Sequence, residues 1–101
     1  MKQVLVTYAT KPECAEENAR LVGEVFAELH ARAPRGLHYV VLRRGDGTFM
    51  HFVQQDDGAT GLSDLESFRA FQQAVSERWR ERPVVADVEV VGSYGMAPKT
   101  D

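Results

Sequence analysis

The segment Leu37-His38-Tyr39-Val40-Val41-Leu42 is too apolar on both sides to lie on a half-solvated surface. Read as a strand, it points Leu37, Tyr39 and Val41 one way and Val40 and Leu42 the other. An antiparallel sheet with one wet face alternates apolar with polar residues. The N-terminal segment Gln3–Tyr8 has the same character, with Val4, Val6 and Tyr8 opposed by Gln3, Leu5 and Thr7. Helices packed on one face of such a sheet leave the other uncovered. A second copy of the chain is the simplest cover.

Four segments read as strands: Gln3–Tyr8, Leu37–Leu42, Phe49–Val53 and Val84–Val91. Two helices, over Glu13–Ala33 and Asp64–Arg82, separate them. In the first helix Ala15, Ala19, Val22, Val25, Phe26 and Leu29 form one apolar stripe, and in the second Leu65, Phe68, Phe71, Val75 and Trp79 do. Thr10 with Glu13, and Ser63 with Glu66, have the spacing of capping boxes, so Ser63→Ala is expected to cost about 1 kcal/mol. Pro34-Arg35-Gly36 closes the first helix and Pro83 the second. Asp46-Gly47 between apolar runs signals a hairpin. The resulting β-α-β-β-α-β order is the α+β, ferredoxin-like topology, with a four-stranded antiparallel sheet in order 4-1-3-2. The expected organisation is one domain over residues 1–95 and a frayed tail at 96–101.

A net charge of -3 argues against nucleic acid, whose binders carry basic patches. Arg78, Arg80 and Arg82 are interleaved with Glu77 and Glu81 and read as a solvated helix end. No apolar run is long enough to span a membrane, and the start of the chain reads as a strand rather than a leader. A cytoplasmic protein is expected. The lone Cys14 sits near the start of the first helix among Glu13, Glu16 and Glu17, which oppose thiolate formation. Cys14, His30, His38 and His51 fall on different elements, so no metal site is expected.

Several segments together resemble a known group. They are the step Val6-Thr7-Tyr8 to Lys11-Pro12, the entry Gly36-Leu37, the strand Phe49-Met50-His51 and the ending Val91-Gly92-Ser93-Tyr94. Residues 3–94 are similar to the dimeric α+β barrel superfamily, and within it to the antibiotic-biosynthesis-monooxygenase-like group. The resemblance implies a homodimer formed by sheet-to-sheet packing. It covers cofactor-free quinone-forming monooxygenases, haem-degrading enzymes, isomerases and stress-responsive proteins, so it implies a fold more than a reaction. Haem-degrading relatives carry an axial His on the second helix and an Asn on the first strand. Here residues 63–82 contain no His and the first strand carries Thr7, so neither haem nor any other cofactor is expected.

His51 is the candidate base, because imidazole titrates near neutrality and burial lowers its pKa, keeping it neutral and able to accept a proton. Tyr39 is its candidate partner, if the hairpin register puts both on one face. Phe68, Phe71 and Trp79 are the candidate lining of an apolar ligand pocket, although core packing also accounts for them. His38 reads as an edge residue, and His30 suits the C-terminal end of its helix. Tyr94 reads as an interface residue. Two functions are open: a monooxygenase-like enzyme, without metal or haem, acting on an aromatic or polycyclic small molecule, and a non-catalytic dimer that binds a small ligand or serves a stress-related role.

Overall fold

The computed structural model describes residues 1–95; the tail expected at 96–101 lies outside the described residues. The strands are β1 (Lys2–Thr10), β2 (Leu37–Arg43), β3 (Thr48–Gln55) and β4 (Trp79–Asp87), and the helices are α1 (Ala15–Arg32) and α2 (Glu66–Gln72). The sheet is antiparallel throughout, in order β2-β3-β1-β4, as the sequence pattern implies. Both helices lie over one face. Tyr8, Val22, Val25, Phe49, Leu65 and Phe71 form the core between the layers.

The α1 stripe packs as expected: Ala15, Val22 and Val25 are buried, and Ala19, Phe26 and Leu29 lean on the core. A single 3-10 turn, Pro12–Cys14, precedes the helix. Ala33 ends it in a left-handed conformation (φ 45°), with its N–H bonded to the Leu29 carbonyl. The Thr10–Glu13 capping box does not form. Thr10 is buried and its hydroxyl donates to the Gly47 carbonyl at 3.1 Å, fastening the end of β1 to the β2–β3 hairpin. At Gly47 (φ 87°) an added Cβ would meet Thr10 Oγ1 at 3.2 Å, so this turn demands glycine on both counts.

The second helix is much shorter than its stripe suggests. It stops at Gln72, Ala74 turns left-handed (φ 58°), and a 3-10 segment Val75–Arg78 leads directly into β4. The fourth strand therefore starts at Trp79, not Val84, and ends at Asp87. Residues 74–82 are rich in helix formers, but pairing with β1 (Trp79 opposite Thr10, Glu81 opposite Ala9) overrides that propensity. Pro83 is no helix stop. It lies inside an edge strand, where a missing N–H need not break a ladder bond.

Ser63 does not cap α2 either. The Gly61 N–H is taken by the Asp64 carboxylate at 3.0 Å, and Glu28 of α1 accepts both the Ser67 N–H (2.8 Å) and the Ser67 hydroxyl (2.6 Å). These bonds, with that to Arg32, hold the Glu28 carboxyl down at about 2. The helix start is thus satisfied from a neighbouring helix. Ser63→Ala is now expected to leave the chemical denaturation midpoint unchanged, whereas Glu28→Ala lowers it. A loss confined to Ser63→Ala would restore the local cap.

Candidate functional site

The hairpin register puts Val41 opposite His51, and His51 opposite Val6 on β1. Tyr39, Val41, His51, Val6 and Tyr8 therefore share the helix-covered face, since alternate residues and cross-strand partners point the same way. His51 ends up flanked by two tyrosines, one from each neighbouring strand. Its Nε2 lies 2.8 Å from the Tyr8 hydroxyl and its Nδ1 lies 2.6 Å from that of Tyr39. Neither ring nitrogen is therefore free.

The chain of bonds continues inward. Asn18 Nδ2 donates to the Tyr8 hydroxyl oxygen at 2.8 Å, Arg78 Nε donates to Asn18 Oδ1 at 3.0 Å, and Arg78 Nη2 donates to the Phe71 carbonyl at 2.8 Å. All of these groups except Tyr39 are buried: Asn18 is 0% exposed, Tyr8 and His51 5%, Arg78 8%. The Arg78 guanidinium also stacks over the Phe71 ring, 5.2 Å from its centroid. Its backbone carbonyl accepts from the Lys11 N–H, so the 3-10 segment before β4 is tied to the end of β1.

Sequence reasoning missed Asn18 and misplaced Arg78. Asn18 carried a readable signal, since it falls on the apolar stripe between Ala15 and Val22 at helical spacing. A polar residue on a buried helix face needs a partner. Arg78, embedded among alternating charges, carried none.

Burial dominates the electrostatics. It lowers His51 from 6.5 to about 4, so the imidazole is neutral near pH 7. Burial likewise raises Tyr8 to about 12, against the opposing effects of the Asn18 bond and the Arg78 charge, and raises Tyr39 further. Both phenols stay protonated.

The aromatic candidates separate. Phe71 is buried with its ring 5.8 Å from that of His51, and Phe68 packs on Phe71 at 5.9 Å. Phe26 stacks on Tyr39 at 5.0 Å, nearly parallel. Trp79 is on β4 rather than on a helical stripe. It packs against the core, and its Nε1 is buried without an acceptor among the described residues. With Ser76, Arg80, Arg82 and Pro83 it lines an open groove of about 540 Å³, away from Tyr39 and His51. His38 is a half-buried residue of edge strand β2, and Cys14 is half-buried. Among the described residues no group of three or more His, Cys, Asp or Glu could hold a metal ion, and no helix is long and apolar enough to cross a membrane.

No family model matches the chain, and no curated protein matches it by sequence. Solved structures do match. A crystal structure of an antibiotic biosynthesis monooxygenase superposes with a TM-score of 0.69 at 17% identity, covering 91% of this chain and 100% of the other. A candidate monooxygenase of the same kind from Nitrosomonas europaea gives 0.70 at 13% identity over 91% and 100%. One from Caulobacter crescentus gives 0.67 at 17% identity over 89% of each. The chain has the fold of antibiotic-biosynthesis-monooxygenase-like proteins, as the sequence resemblance implies. Identities this low carry the fold alone.

Proposed function

We propose that this is a cofactor-independent, monooxygenase-like enzyme of the cytoplasm acting on an oxidisable aromatic or polycyclic phenol. The observation that supports this most is the buried, neutral His51 with the Tyr39 hydroxyl on its Nδ1. Tyr39 is the group a ligand oxygen touches, and His51 behind it holds that hydroxyl in place. The phenol binds as its anion, its proton having gone to water, and this electron-rich anion reacts with dioxygen. One oxygen atom becomes the quinone carbonyl and the other leaves as water. The rings of Phe71, Phe68 and Phe26 keep the surroundings apolar, which favours such a step. The test is oxygen uptake with naphthols and anthrone-type phenols. Uptake matched by quinone formation supports the reading, and uptake no faster than in buffer across that panel rejects it.

A second reading, a non-catalytic small-ligand-binding protein, is favoured by the position of the groove. Trp79, Arg80 and Arg82 line it and the Tyr39–His51 pair does not. Native mass spectrometry of freshly purified protein would reveal a co-purified ligand.

In either reading the working unit is a homodimer. The sheet face opposite the helices carries two rows, Leu42–Met50–Thr7–Val84 and Val40–Phe52–Leu5–Ala86, apolar but for Thr7 and in register across all four strands. Leu42 is 53% and Val84 68% exposed, although both are large and apolar. A second copy laid on this face would bury about 2,000 Å², the scale of an obligate dimer. Light scattering at micromolar concentration is expected to give twice the 11.3 kDa chain mass. Val84→Glu is expected to shift it towards the monomer. A monomeric wild type would contradict the dimer.

A further inference from the structure

The bonds around His51 have a direction, and Arg78 sets it. A guanidinium only donates, so the oxygen of the Asn18 amide must face Arg78 and its NH₂ must face Tyr8. The Tyr8 oxygen therefore accepts. Its own proton has one remaining partner among the described residues, His51 Nε2. A neutral imidazole has one bare nitrogen and one N–H. With Nε2 accepting, the N–H is on Nδ1 and points to the Tyr39 oxygen. The opposite direction would give the Tyr8 oxygen two donors and leave its hydroxyl proton without an acceptor, on a side chain 5% exposed.

We propose that Asn18, oriented by Arg78, is a positioning residue that holds His51 as its Nδ1–H tautomer, so that Tyr39 offers a hydroxyl proton to an acceptor oxygen of the ligand, an ionised phenol or a quinone-type carbonyl. This rests on the reading of Tyr39 and His51 as the ligand-handling pair. Tyr39 is the half-buried end of the chain, and of the two hydroxyl protons in the series its own is the one left without an acceptor among the described residues.

Asn18→Asp is the informative change. It keeps the shape and retains an acceptor for Arg78, but it replaces the NH₂ donor facing Tyr8 with a carboxylate oxygen. Tyr8 then donates to residue 18, accepts from Nε2–H, and Tyr39 turns its proton onto Nδ1. The ¹⁵N spectrum of the histidine rings, assigned with His51→Gln, reads this directly. Wild type is expected to show His51 protonated at Nδ1, and Asn18→Asp at Nε2. Wild-type protonation at Nε2, or a tautomer unchanged in a folded Asn18→Asp, overturns the proposal. A purely structural Asn18 would not move the tautomer. Should the variant not fold, the wild-type spectrum alone decides. As a ligand probe, naphthoquinone is expected to bind wild type more tightly than naphthalene does, with that preference lost in Asn18→Asp. Equal binding of the two by wild type also overturns it. Oxygen uptake is read separately, so a correct tautomer without turnover would reject the enzyme and not the direction of the bonds.

Discussion

His51→Ala is expected to abolish phenol-dependent oxygen uptake, and Tyr39→Phe to lower it by about 100-fold or more, the scale of a lost hydrogen-bond donor to a reacting oxyanion. Tyr39→Phe removes one oxygen atom and keeps the stack on Phe26, so its fold should be wild type by circular dichroism. His51→Ala strips two tyrosine hydroxyls of a partner and also opens a cavity beside Phe71, so its dimer mass must be checked alongside. Retention of full turnover by Tyr39→Phe would remove the pair from the chemistry.

The second large effect is on stability below neutral pH. Burial holds folded His51 at about 4, against 6.5 for the unfolded chain. Between those values the unfolded state binds the extra proton, so stability rises with pH through that window. The contribution is complete above 6.5 and is lost as pH falls towards 4, a total of about 3 kcal/mol. The hydroxyls bonded to the ring come from Tyr8 and Tyr39, and the rings of Tyr8, Tyr39 and Phe71 lie against it, so burial is what opposes its charging. Tyr8 and Tyr39 remain neutral and Arg78 adds positive charge behind Asn18. The depressed carboxylates, such as Glu28, act lower in pH and are separable. His51→Gln should flatten the denaturation midpoint between pH 6.5 and 4 relative to wild type. An equal slope in both proteins would place the proton uptake elsewhere.

The topology was legible because it rests on short-range patterns: two apolar helix stripes, one Asp-Gly hairpin and strands whose apolar character is hard to assign otherwise. The boundary between α2 and β4 was not, because residues 74–82 favour a helix locally and become strand only by pairing with β1. The site divided in the same way. His51 and Tyr39 stood out by residue type, but their shared face depended on a hairpin register fixed by a turn whose length cannot be read from Asp46-Gly47 alone. Arg78 was hidden because a buried cation among surface charges differs from its neighbours only in what the fold places around it.

The most direct test of the account is a crystal structure with a naphthol or naphthoquinone bound. The account predicts a ligand oxygen within hydrogen-bonding distance of the Tyr39 hydroxyl, with His51 still bonded behind it. A ligand seated instead in the groove of Trp79, Arg80 and Arg82, with Tyr39 untouched, would contradict it.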